Sequence, residues 1–149
     1  MKVILIRAIR NMFVGQIELT PQPFKAELVD GNYFVSSIQL RSNTKGETHY
    51  FKLVFSESLL KEVCSVLLFE DEPDDVTMKD MSTEVSNQIV GNTKALMESV
   101  KHEDLKLSIP KFEEELSFED VRKEPNPILF KFNNTNSIWF MMTRDTKKD

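Results

Sequence analysis

The spacing of apolar residues switches between two periods along this chain, and the order of the switches limits the folds open to it. Ile6, Ile9 and Phe13 recur at helical spacing and predict a short first helix over residues 4–13. Lys25 to Val29 and Asn32 to Arg41 then flank Asp30-Gly31, a tight-turn signal, and predict a hairpin. A second turn, Ser42 to Gly46, leads into His49 to Phe55. There Phe51, Leu53 and Phe55 face one way and Tyr50, Lys52 and Val54 the other. Ser56 is placed to cap a helix reaching about Phe69, with Leu59, Leu60, Val63, Val66 and Leu67 inward. A longer helix is predicted from Met78 to Val100, capped by Thr77 with Asp80 three residues on. Leu105, Leu107 and Ile109 alternate with polar residues until Pro110 ends the segment. Ile128 to Phe132 and Ser137 to Thr143, separated by Asn133 to Asn136, predict a closing hairpin, with residues 144–149 a frayed polar tail. Strands in runs with few helices imply an α+β fold, a mostly antiparallel sheet packed with helices. No repeat or Gly/Ser linker divides residues 1–149, so a single domain is expected.

Composition narrows the function. With 40% apolar and 29% charged residues, 149 residues suffice for a sizeable globular core. A net charge of −5 leaves no chain-wide basic field, so nucleic acid is not an expected partner. The single cysteine, Cys64, excludes an internal disulfide and a cysteine-based zinc cluster, and two histidines, His49 and His102, exclude a multi-histidine metal site. No run approaches the roughly 20 apolar residues of a membrane span. Arg7 and Arg10 interrupt the apolar start, so no membrane association is expected and the cytoplasm is the expected compartment. The acidic patches Glu70 to Asp75 and Glu113 to Glu115 read as solvated loops.

The segment from Asp80 to Ala95 carries the chemistry. At 100° per residue, Met81, Val85, Ile89, Leu96 and Val100 form an apolar stripe that must pack on the sheet. Asp80, Glu84, Asn87, Gln88, Gly91 and Ala95 form a different stripe, on which Glu84 and Asn87, three apart, are neighbours. Gly91 and Ala95 keep the surface beside them shallow. Glycine inside a helix costs roughly 1 kcal/mol against alanine, so Gly91 asks for a packing or functional reason. Polar residues on a helix face are more often merely solvated, and Asp80 can simply favour the helix start through the dipole. The pattern alone describes a shallow polar ridge shaped to enter another protein's cleft, and names no reaction.

This segment resembles the signature helix of the CheC/CheX/FliY phosphatases of bacterial chemotaxis. Their motif is Asp or Ser, three residues, Glu, two residues, Asn, twenty-two residues, Pro; Asp80, Glu84, Asn87 and Pro110 fit it. The run Glu84-Val-Ser-Asn87-Gln-Ile-Val-Gly91-Asn92 is most similar to the CheX branch, and one motif copy rather than the two usual in CheC also matches CheX. The resemblance implies hydrolysis of the aspartyl phosphate of a CheY-like response regulator. It implies that Asn87 orients the attacking water, that Glu84 pairs with the regulator's lysine, and that Asp80, Gln88, Gly91 and Pro110 support the site. It further implies no metal or cofactor in this chain, Mg²⁺ being supplied by the regulator, and a homodimer with one site per protomer. A non-catalytic regulator-docking or flagellar-switch module of the same fold stays open as the alternative.

The remaining reactive residues have plainer readings. Cys64, among Leu60, Val63 and Leu67, reads as a buried inert thiol. His102-Glu103-Asp104 reads as a solvated helix end, and Trp139 with its apolar neighbours as core or a dimer edge. The Glu70 to Asp75 stretch lacks the alternating ligands and central glycine of a calcium loop.

Overall fold

The computed structural model describes Arg7 and residues 21–23, 31–121, 128–132 and 139–148. The rest of the predicted first helix, the strand expected at 25–29 and the loop at 133–136 lie outside the described residues. Among the described residues seven strands form one sheet: β1 (Pro21–Pro23), β2 (Tyr33–Ser42), β3 (Glu47–Ser56), β4 (Leu105–Leu107), β5 (Lys111–Leu116), β6 (Ile128–Phe132) and β7 (Trp139–Lys148). Their order is β1-β6-β7-β3-β2-β4, with β5 also on β2, and every pairing is antiparallel. Three helices complete the described chain: α1 (Glu57–Leu68), α2 (Asp75–Lys101) and the short α3 (Phe118–Val121). The α+β architecture with an antiparallel sheet is the one the periodicity implied.

β2 and β3 pair over their full length, from Tyr33↔Ser56 to Ser42↔Glu47, around a turn in which Gly46 takes φ 61°. Only glycine adopts that left-handed conformation without steric cost, so the turn falls where the sequence placed it. Both edges of β2 are occupied, one by β3 and the other by β4 and β5. The hairpin expected about Asp30-Gly31 is therefore not the pairing β2 makes. Phe34, Ile38 and Leu40 of β2 and Phe51, Leu53 and Phe55 of β3 share the core face with α1 and α2.

Four local expectations are corrected. Pro110 interrupts a strand rather than ending it: β4 and β5 run along the same edge of β2, with Leu107 opposite Leu40 and Lys111 opposite Ser37. Proline cannot donate to the ladder. Ser108 bridges the break, its N–H donating to the Gln39 carbonyl (3.0 Å) and its Oγ accepting from the Gln39 N–H (2.8 Å). Glu113 to Glu115 accordingly lie in β5, exposed, and not in a loop. Charged side chains suit an edge strand, where they discourage further pairing. The expected frayed tail is instead the end of β7, paired with β3 as far as Lys148↔Glu47 and supported by a 2.9 Å hydrogen bond between His49 Nδ1 and Thr146 Oγ1. Glu103, expected in solvent, is buried, because His102 turns left-handed (φ 53°) and directs it under the β2–β3 turn. There it accepts from Ser42 Oγ at 3.2 Å and meets Lys45 Nζ at 3.5 Å.

The helix caps follow the same logic. Ser56 Oγ accepts from the Leu59 N–H (3.2 Å) at the start of α1, as its position implied. Leu59, Leu60, Val63 and Cys64 are buried, whereas Val66, expected inward, is 37% exposed. Burial and the nearby Glu70 charge push the Cys64 thiol above its ordinary value, consistent with an unreactive cysteine. At α2 the cap is Asp74, not Thr77: its carboxylate accepts from the Thr77 N–H at 2.8 Å, and the helix begins three residues earlier than the apolar pattern suggested. Asp74 and Asp75 thus belong to the helix start and not to a solvated connector. Ser56→Ala should lower the unfolding free energy by about 1 kcal/mol in urea titration. The Asp74 carboxyl is held below the usual range by its hydrogen bonds with Thr77. Its stabilising effect is therefore full above the unfolded pKa and lost as pH falls through the folded one. The stability difference between wild type and Asp74→Asn should shrink on acidification through that window.

Candidate functional site

Along α2 the buried residues are Met78, Met81, Ser82, Val85, Ser86, Ile89, Val90, Thr93 and Met97. The stripe expected from Met81, Val85 and Ile89 is present, but it continues to Met97. Leu96 is only partly buried and Val100 is 58% exposed. The alternation of apolar residues did not reveal the hydroxyls in this stripe. Each is buried by bonding back to its own helix: Ser82 Oγ to the Lys79 carbonyl (2.7 Å), Ser86 Oγ to the Ser82 carbonyl (2.8 Å) and Thr93 Oγ1 to the Ile89 carbonyl (2.9 Å). Ser82 and Ser86 also meet β2. Ser36 Oγ contacts Ser86 Oγ and lies 3.2 Å from the Ser82 carbonyl.

The opposite face of the same turns carries the predicted site. Asp80 and Glu84 are exposed, while Asn87, Gln88 and Gly91 are partly exposed. Gln88 Nε2 donates to Glu84 Oε1 at 2.9 Å, so the amide holds the carboxylate against the helix and leaves its second oxygen for another partner. A Cβ added at Gly91 would meet nothing nearer than Leu107 Cδ2, at 3.8 Å. Among the described residues, packing therefore does not require glycine there. Pro110 is not on this face: it sits partly buried in the break between β4 and β5, two strands against which α2 packs.

The helix is tied down on either side of this face. Near its start, Lys79 Nζ lies 2.9 Å from Asp75, 3.9 Å from Glu115 of β5 and 5.3 Å over the Phe112 ring. The hydrogen bond from Lys79 holds Asp75 below the usual carboxylate range, while local desolvation and the hydrogen bond with Asp75 push Glu115 up. Just beyond its end, Asp104 receives the Asn43 N–H on its carbonyl (2.9 Å), and its own N–H donates to Thr44 Oγ1 (2.7 Å). Two recesses among the described residues lie elsewhere, one lined by Gly31, Tyr33, Ser56 and Lys61 and one by Gln39, Tyr50, Ile109 and Lys111. Among the described residues no three His, Cys, Asp or Glu side chains are grouped to hold a metal ion. Glu84 and Asn87 thus stand on the solvent-facing side of α2, away from the two recesses described. A carboxylate and a carboxamide placed there are open to a partner that receives the helix.

The family model for chemotaxis phosphatase CheX matches residues 34–133, more than half of the chain. The chain belongs to the CheX family. CheX from Vibrio vulnificus has a similar structure, with a TM-score of 0.69 at 16% identity over 97% of each chain. CheX from Borrelia burgdorferi, solved in a CheX-CheY-BeF3-Mg²⁺ complex, gives a TM-score of 0.66 at 15% identity, covering 99% of this chain and 97% of that one. FliY from Thermotoga maritima gives 0.58 at 15% identity, over 93% of this chain and 82% of its own. A search of curated proteins finds no significant match. At these identities the likeness to the CheX structures is one of fold. No helix among the described residues is long and apolar enough to cross a membrane.

Proposed function

We propose that this CheX-family chain hydrolyses the aspartyl phosphate of a CheY-like response regulator and so terminates a chemotaxis signal. The carrying observation is the placement of Glu84, exposed, and Asn87, partly exposed, one helical turn apart on the face of α2 turned away from its buried stripe. Phosphoryl transfer passes through a loose transition state, so catalysis is mainly positioning and charge stabilisation. The regulator brings the phosphorylated aspartate, Mg²⁺ and a lysine near the phosphoryl oxygens; this chain contributes no cofactor. What remains to be supplied is a water held in line with the scissile bond.

Asn87 suits that task because a carboxamide both donates and accepts, orienting water without carrying negative charge toward the phosphoryl group. Glu84, steadied on one oxygen by Gln88, offers the other to the regulator's lysine. That pair forms where water is excluded, and its geometry fixes the register of the helix in the cleft. Asp80 contacts the rim, Gly91 lets the partner's surface approach the helix closely, and Pro110 shapes the strand beneath. The active form is a cytoplasmic homodimer displaying two independent sites.

Incubating the protein with phosphorylated regulator and Mg²⁺ tests the reading. Accelerated loss of the phosphoryl group supports it, whereas association with unchanged decay identifies a docking module instead. Gly91→Ala gives a sharper check, since among the described residues the added Cβ meets only Leu107, at an ordinary van der Waals distance of 3.8 Å. It should stabilise the free protein by about 1 kcal/mol in urea titration and weaken association with the regulator. A variant that is more stable and binds equally well removes Gly91 from the interface.

A further inference from the structure

The turn that bears Glu84 and Asn87 rests on one small side chain of the sheet. Ser36 of β2 is fully buried, and its Oγ meets two points of α2, the Ser86 hydroxyl and the Ser82 carbonyl. These points bracket Glu84, and Ser86 immediately precedes Asn87. Ser82 and Ser86 are themselves fully buried, so three small residues face one another where the neighbouring contacts are made by Phe34, Ile38, Met81, Val85 and Ile89. Small side chains on both sides let helix and strand approach closely, and the shared hydroxyls fix the helix's rotation and axial position at that level. Beside Ser36 the register of the neighbouring strand shifts, Glu113 of β5 being the extra residue between the pairs Val35↔Glu114 and Ser36↔Phe112.

We propose that Ser36 is a positioning residue for the phosphatase reaction: it sets the height and rotation at which α2 presents Asn87 to the attacking water. The inference rests on the reading of Glu84 and Asn87 as the site. A shift of about an ångström can cost on the order of 100-fold in a reaction that depends on alignment. Charge pairing through Glu84 falls off more gently with distance, and its flexible side chain can follow a small displacement. A change at Ser36 therefore acts on kcat more than on KM.

The experiment compares Ser36→Ala, Ser36→Val and Ser36→Val/Ser86→Gly in the full chain, with a CheY-like regulator phosphorylated by a small phosphodonor, at a temperature where unfolding curves show each protein folded. Ser36→Val, which pushes the helix outward, should lower kcat about 10- to 100-fold with KM within about threefold of wild type. Ser36→Ala, which keeps the close approach, should lose less. Ser86→Gly removes the opposing bulk, so the double variant should regain kcat although glycine lowers helix stability further. A purely structural role predicts the reverse, a further loss. Ser36→Cys makes the displacement in a smaller step should Ser36→Val fold poorly. Wild-type kcat in a folded Ser36→Val or Ser36→Cys protein overturns the proposal, as does a double variant less active than the single one. Asn87→Ala is assayed alongside: full activity there defeats the catalytic reading itself, whereas loss there with no effect at Ser36 defeats only the positioning role.

Discussion

Asn87→Ala should lower regulator dephosphorylation by on the order of 100-fold at saturating phosphorylated regulator, with association retained. The expectation follows from the division of labour between the two proteins. In the proposed mechanism the regulator holds the phosphoryl group, the metal and a lysine, and the amide adds only the orientation of water. Removing it should therefore affect turnover and spare the ground-state complex. Asn87 is partly exposed and its side chain makes no hydrogen bond among the described residues, so the variant should unfold at the wild-type denaturant concentration. Phosphate release at the wild-type rate would end the mechanism, and loss of binding together with activity would make Asn87 a docking residue instead.

Glu84→Ala should weaken the complex with the beryllofluoride-loaded regulator on the order of 30-fold or more, and dephosphorylation should fall with it. Truncating one member of a desolvated charge pair leaves the other buried without its counterion, which costs far more than an exposed pair is worth. Glu84→Gln distinguishes charge from shape: if the ion pair matters, it should behave like the alanine variant although Gln88 can still hydrogen-bond to its side chain. The measurement is a titration of association at fixed ionic strength. Binding at wild-type affinity by both variants would leave Glu84 no part in the complex.

Much of the candidate site's placement on the helix could be read before the fold was known, because it is written in local spacing. A three-residue separation on a helix brings Glu84 beside Asn87 whatever the helix packs on. The roles of the two groups came from the resemblance, not from the spacing. The β2–β3 turn and the cap at Ser56 were equally local. What stayed hidden depended on distant partners. Ser36, Ser82 and Ser86 look polar in sequence, yet they are buried because helix carbonyls and one another satisfy their hydroxyls. Glu113 to Glu115 have the composition of a loop and lie in a strand because β2 offers them an open edge. The polar end of β7 is ordered by the length of β3, information held about a hundred residues away in the chain. Asp74 displaced Thr77 as the cap of α2, an ambiguity that two neighbouring capping residues always leave.

The long helix is fastened near its start through Lys79 to Glu115, at its middle through Ser36, and just past its end through Asp104 to the β2–β3 turn. Tilting or sliding it would break all three attachments together. Whatever docks on the outer face of this helix therefore meets one fixed template. Under the proposed function, the pace of signal shut-off would then follow the supply of phosphorylated regulator.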